Sequence, residues 1–352
     1  MGAKSQIEWT EATWEPITGC SKCSSGCDNC YAIMLAAGRL RHHRHYKGLT
    51  QITNGRPNWT GELRFNEDLL AQPLRWRQAK RIFVCSCGDL FHPQVPDAWI
   101  DRIFAVMALA TRHTFQVLTK RPERAMAFIT PQRREAVERR MWDHQPKRGP
   151  EICWPLIPEH WPLPNVWLGT SVENQAAADK RIPELLATPA AVRWVSIEPL
   201  LGPVDLSQWL KHWHIPVPPA PDGDCPPRSV PAIRWVVVGG ESGKAARPMH
   251  PAWARGLRDQ CAAAGVPFFF KQWGEWAPQS QSGWTRIGGR RYRSIFLSQD
   301  GGQHDFNDLM DGGRELMLRA GKRDAGALLD GVEHREFPID SSGHRAIEKA
   351  GQ

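Results

Sequence analysis

Six short apolar runs each stop abruptly at a polar or charged residue, and this pattern constrains the fold more than any other feature of the chain. They are RIFVCSCGD to Asp89, TFQVLTKR to Arg121, NVWLGTSVEN to Asn174, RWVSIEPL to Leu200, IRWVVVGGES to Ser242 and VPFFFKQW to Trp273. Near-continuous apolar, β-branched and aromatic runs of this length suit strands buried on both faces. Helical patterns lie between several of them: DAWIDRIFAVMALATR, ADKRIPELLAT and PAWARGLRDQCAAAG, the last with Pro251 suited to a helix start and Gly265 to a helix end. Strand alternating with helix selects parallel βαβ units. With a further strand expected near the N-terminal cysteines, the pattern predicts an α/β protein built as a full or partial TIM-like (βα) barrel with loop insertions. A length of 352 residues accommodates it.

Residues 1–50 read as a cysteine-rich loop and basic segment that belong to the barrel, residues 51–276 as the barrel body, and 277–352 as a C-terminal extension. Two Pro- and Trp-rich insertions, 141–164 and 207–231, interrupt the body and carry Cys153 and Cys225, which read as incidental thiols. Residues 321–338 read as a short helix and turn. Trp167, Trp194 and Trp235 stand beside strand-like runs and read as core or rim packing.

In barrels of this kind the site lies at the carboxyl ends of the strands. Those ends carry Asp89 and His92, Lys120 and Arg121, Glu173 and Asn174, Glu198, Glu241 and Ser242, then Lys271 and Gln272. Polar residues also end strands for no functional reason, but six such ends with three glutamates read as a lined cleft. Asp89, Lys120, Glu173, Glu198 and Glu241 are the candidate catalytic residues. In GGESG, Gly239 and Gly240 would admit a ligand close to the backbone and Glu241 would bind an ammonium. Ser171 and Asn174 complete the candidate cofactor contacts. The glycine spacing fits neither a P-loop nor a dinucleotide fingerprint, and no hydrolase motif is present.

The stretch TGCSKCSSGCDNCYA, residues 18–32, holds four of the nine cysteines. The N-terminus lacks the apolar core of a signal peptide, and no run reaches the roughly 20 apolar residues of a membrane span. A cytoplasmic location without membrane contact is therefore expected. Thiols stay reduced there, so the cluster reads as a metal or iron–sulfur site rather than as disulfides. Cys20, Cys23, Cys27 and Cys30 give C-x2-C-x3-C-x2-C. Structural zinc ordinarily takes two C-x2-C knuckles a dozen or more residues apart; here the gap is three residues, and zinc stands as the alternative. Cys85 and Cys87 read as small buried hydrophobes, or else as a second ligand or hydrogen-atom donor, and Cys261 as core.

The net charge of +8 gathers in RLRHHRHYK (residues 39–47), RWRQAKR (75–81) and QRREAVERR (132–140). The first directly follows the cysteine loop and makes nucleic acid a candidate partner. The third reads as a mixed-charge helix.

Within the loop, Cys23, Cys27 and Cys30 spell C-x3-C-x2-C, which resembles the signature of the radical S-adenosylmethionine enzymes. That resemblance implies three thiolates on a [4Fe–4S] cluster, a fourth iron open to S-adenosylmethionine, and electron transfer that cleaves the sulfonium to a 5′-deoxyadenosyl radical. It also implies a partial (βα) barrel. The whole chain, from about residue 6 to 338, resembles the phage-encoded three-Cys-motif family of unknown function. The likeness is carried by IEWTEATWEPITGC…GCDNCYA, RIFV…DLFH, FQVLTKRPERA, NVWLGTSVENQ, RWVSIEPLLGPVDL, WVVVGGESGKAARPMHPAW and GVPFFFKQWGEW. This narrower resemblance implies the triad Cys20, Cys27 and Cys30, with Cys23 an additional thiol. Asn29 stands where the radical enzymes carry an aromatic residue, and Tyr31 follows.

The expected function is that of a radical S-adenosylmethionine-like iron–sulfur enzyme acting on a nucleic acid or nucleotide, in the manner of a DNA-lesion or base-modifying enzyme such as spore photoproduct lyase. A partner protein encoded nearby is also in view. The alternative is a non-catalytic, zinc-stabilised nucleic-acid-binding protein of phage or bacterial type. Glutamates at the strand ends, which would repel a polyanion, weigh against it.

Overall fold

The computed structural model describes residues 5–144, 161–211, 213–215, 228–230, 232–282, 292–304 and 313–338. Cys153, Cys225 and the greater part of both insertions lie outside the described residues. The chain divides into two units, Met1–Thr170 with Ala187–Arg193, and Ser171–Leu186 with Trp194–Gln352.

The first unit is built on four parallel strands in chain order. They are β1 (Ala12–Trp14), β2 (Arg81–Val84), β3 (Thr114–Thr119) and β4 (Val166–Ser171). Register runs Ala12↔Ile82, Ile82↔Phe115 and Phe115↔Val166. Every side chain of β2 is buried, as are all six of β4. Strands covered on both faces need no polar alternation, which is why these runs read as unbroken apolar sequence. Between β1 and β2 come α1 (Tyr31–Ala37) and an antiparallel hairpin, Thr50–Thr53 with Arg56–Trp59. α2 (Asp97–Leu109) connects β2 to β3, and α3 (Pro122–Phe128) and α4 (Arg133–Met141) follow β3. Phe91, Phe104 and Phe128 close the packing with ring centroids 5.5–6.5 Å apart.

The second unit has three parallel strands, β5 (Val192–Ile197), β6 (Trp235–Gly239) and β7 (Phe268–Gln272), with β6 between the others. α5 (Gln175–Ala187) precedes β5. α6 (Pro251–Ala264) joins β6 to β7, as its sequence punctuation predicts. The His250 ring accepts from Ala252 N at its start, and Gly265 at φ +65° ends it. Ala254, Leu257 and Cys261 are fully buried at i, i+3 and i+7 on one face. Trp194 and Trp235 are fully buried and stack at 5.2 Å between β5 and β6; Trp167 is buried in the first unit.

All six expected strands are present, and β1 is the further strand expected near the N-terminal cysteines. The structure adds what the sequence reading missed. Residues 277–278, 294–297, 303–304 and 315–318 form a four-stranded antiparallel sheet in the C-terminal extension. Trp213–Ile215 pairs with Arg228–Val230 inside the second insertion. These strands are two to four residues long, too short for period-two alternation to register. The short helix Lys322–Ala325 lies where residues 321–338 predict it. Among the described residues no helix is long and apolar enough to cross a membrane.

Candidate functional site

The cysteine loop is attached to the sheet by backbone on one side and by a buried ion pair on the other. Beyond β1 and β2 the two segments stay paired. Trp14 O accepts from Cys85 N at 2.8 Å, Cys87 O accepts from Gly19 N at 3.1 Å, and Gly19 bridges Gly88 in parallel. Gly19 sits at φ +95°, and a Cβ there would overlap the Glu62 carbonyl oxygen. Only glycine fits, and it delivers Cys20 beside the carboxyl end of β2.

Asp89, just past β2, is 5 % exposed. Its Oδ1 accepts from the Thr119 hydroxyl at 2.7 Å and Phe91 N at 3.0 Å; its Oδ2 accepts from Arg121 NH1 at 2.8 Å and Lys120 N at 3.3 Å. Arg121, past β3, also donates to the loop. NH2 donates to Ser21 O at 2.9 Å and Ser21 Oγ at 3.1 Å, and NH1 lies 3.7 Å from Cys20 Sγ. His92 Nδ1 accepts from Gln94 N, so Nε2 carries the proton and donates to Ser21 Oγ at 2.7 Å. Burial, with Arg121 nearby, keeps the His92 pKa below its usual value. Asp89 and Arg121 therefore act as the bracket of the loop. Of the two cations at this strand end, Arg121 reaches Cys20, and Lys120 acts on Cys27 and Cys30 electrostatically.

The four thiols are chemically unequal. Burial pushes Cys20 up to about 12, with Asp89 adding to it and Arg121 opposing. Burial also raises Cys30. Cys27 is pulled down to about 5 by a hydrogen bond from Cys23, against burial and with help from Lys120. Cys23 is exposed. The donor set suits an iron–sulfur cluster, whose protein ligands are thiolates. The sulfurs as placed do not converge: among the described residues no three His, Cys, Asp or Glu side chains are set to hold a metal ion together.

Beneath the loop lies a group that sequence reading missed. Glu15, one residue past β1, is fully buried; Oε1 accepts from Ser86 N and the Ser86 hydroxyl, and Oε2 from Cys87 N at 3.1 Å. The only sequence signal was a carboxylate directly after an apolar strand. Cys85 and Cys87 are buried as expected of small hydrophobes; Cys87 packs with Tyr46, Trp59 and the half-buried Cys20 and Cys30, and shares a hydrogen bond with Tyr46. Cys261 is core.

Burial pushes the Glu15 carboxyl from 4.5 up to about 7, against its three donors. The folded chain then holds a proton that the unfolded chain releases between those values, so stability falls as pH rises through the window. At 1.36 kcal/mol per unit the loss approaches about 3 kcal/mol. Urea midpoints measured from pH 5 to 8 are expected to fall more steeply for the native chain than for Glu15→Gln. Parallel pH profiles would exclude Glu15 as the titrating group.

In the second unit the strand-end carboxylates are mostly claimed by arginines. Glu173, 2 % exposed, pairs with Arg181 at 3.0 Å. Glu241 accepts from Arg247 N, Nε and NH2 at 2.7–2.9 Å. Asn174 Oδ1 caps α5 by accepting from Ala177 N, and the Ser171 carbonyl accepts from Arg181. Glu198 differs. Lys271 Nζ from β7 reaches its two oxygens at 3.2 and 3.3 Å, and the Ser196 hydroxyl lies 3.5 Å away. A Cβ on Gly239 would collide with the Glu198 carboxylate, and one on Gly240 with the Trp273 carbonyl oxygen. The two glycines thus serve close packing at the end of β6, with Glu198 lying across it. Gln272 donates to Ser242 Oγ at 3.2 Å.

The family described as "Protein of unknown function (DUF5131)" matches residues 4–338. No curated protein and no solved structure matches the chain.

Proposed function

The chain belongs to the DUF5131 family, whose function is unknown, and we propose that it is a radical S-adenosylmethionine-like iron–sulfur enzyme, acting on a nucleic acid or nucleotide from a partial TIM-like barrel. The reading also aligns it with the phage-encoded three-Cys-motif proteins. One observation carries it: the cysteine loop leaves β1 and is tied by Asp89 and Arg121 to the carboxyl ends of β2 and β3, where parallel α/β folds form their ligand sites.

In this reading Cys20, Cys27 and Cys30 hold a [4Fe–4S] cluster and Cys23 is spare. The chemistry supplied when the group is bound is one-electron cleavage of S-adenosylmethionine. Arg121 and Asp89 hold Cys20 in place, and the Lys120 ammonium offsets thiolate charge at Cys27 and Cys30. Glu198, with Lys271 as its counter-ion, has a 15 % exposed side chain against 2 % for Glu173 and 5 % for Glu241, and is the strand-end carboxylate of the second unit most open to a substrate. Gly239, Gly240, Ser171 and Asn174 support these strand ends.

The protein is tested by anaerobic purification and reconstitution, with iron, sulfide and zinc measured together. A brown protein with about four irons and matching sulfide supports the reading. Stoichiometric zinc without iron would sink it in favour of a zinc-stapled binding protein.

A further inference from the structure

The helix after the cysteine loop leaves one face unpartnered. Ala32, Ile33 and Ala36 of α1 pack inward with Tyr46, Leu49 and Trp59. On the opposite side Tyr31 is 47 % and Met34 56 % exposed, and Gly38 is exposed one turn further. Positions 31 and 34 share one helix face, and Gly38 follows directly as the C-cap of α1. The Tyr31 hydroxyl donates to Ser86 O at 2.6 Å. The ring is thus fixed at its tip while much of its surface meets solvent, so stacking on it costs little side-chain freedom.

At the far end of this stripe the chain turns into its basic segment. Arg39, Arg41 and Lys47 are exposed. Among the described residues no carboxylate pairs with any of the three, whereas Arg44 is taken by Asp68. Arg64 donates to the carbonyls of Arg44 and Lys47 and holds the turn.

We propose that this surface binds single-stranded nucleic acid, with a base stacked on Tyr31 and the backbone phosphates running toward Arg39 and Arg41. A base inside a duplex has both faces covered by its neighbours, so an exposed ring selects unpaired strands, and cations beside it follow the backbone. The inference rests on the proposed function for its substrate class and adds where the strand lies: the stripe begins at the residue after Cys30.

The test is fluorescence anisotropy of the reconstituted full chain with labelled oligodeoxythymidine, a labelled mixed-sequence duplex, and anionic phospholipid vesicles. Tyr31→Ala is expected to weaken single-strand binding about tenfold or more, and Tyr31→Phe to retain most of it. The double variant Arg39→Ala/Arg41→Ala is expected to reduce the salt dependence by about 1.4 in log–log slope, two phosphates at 0.7 each. Unchanged binding by Tyr31→Ala, a duplex bound as tightly as the single strand, or attachment to vesicles alone overturns the proposal. Iron measured on the same samples separates the two ideas. Iron-free protein with Tyr31-dependent strand binding supports this surface while removing the cluster. Iron-loaded protein indifferent to oligonucleotide removes the surface and leaves the cluster standing.

Discussion

Cys27→Ala is expected to take the anaerobically reconstituted protein from about four irons per chain to less than one, with sulfide falling in parallel. Cys20→Ala should do the same, and Cys23→Ala should keep most of the iron. The contrast follows from placement. Cys20 is delivered by Gly19 against the end of β2 and lies beside Arg121, whereas Cys23 is the exposed member of the set. Either triad contains Cys27 and Cys30, so those variants ask whether a cluster is bound at all; the comparison of Cys20 with Cys23 asks which thiol completes it. Iron retained by Cys20→Ala and lost by Cys23→Ala would transfer the third ligand to Cys23.

Asp89→Ala is expected to cost about 3–5 kcal/mol, because it leaves the Arg121 guanidinium buried without its carboxylate. The side chains are 6 % and 7 % exposed, and the carboxylate answers four donors at once. Urea unfolding followed by tryptophan fluorescence measures the loss. Adding Arg121→Met to Asp89→Ala should recover part of it by removing the stranded charge, at the expense of the hold on Ser21 and Cys20. A double variant less stable than Asp89→Ala alone would show that Arg121 stabilises through the loop contacts rather than through the pair.

Much of the parallel framework was legible in the sequence. Strands buried on both faces write themselves as unbroken apolar runs, and Pro251 and Gly265 marked both ends of α6. β1 was harder to see, having three residues and no helix directly behind it. The C-terminal antiparallel sheet left no pattern in its short strands. At the site, spacing made the four thiols conspicuous and strand ends pointed to Asp89, Lys120 and the glutamates. Which carboxylates were already claimed was not legible, because Arg181 and Arg247 reach Glu173 and Glu241 through side-chain geometry that no periodicity encodes. Glu15 escaped because a buried carboxylate satisfied by neighbouring backbone amides belongs to a fold, not to a motif.

Those pairings change how the molecule looks from a distance. A row of lone glutamates would turn away a nucleic acid strand. Here Asp89, Glu173, Glu198 and Glu241 each carry their own cation at 2.7–3.2 Å. Each couple presents a dipole, whose field dies away faster than that of a charge. Within the screening length of about 8 Å, such dipoles offset little of the field of the +8 excess. On the proposed function, acidic strand ends paired in this way would not by themselves turn a polyanion away.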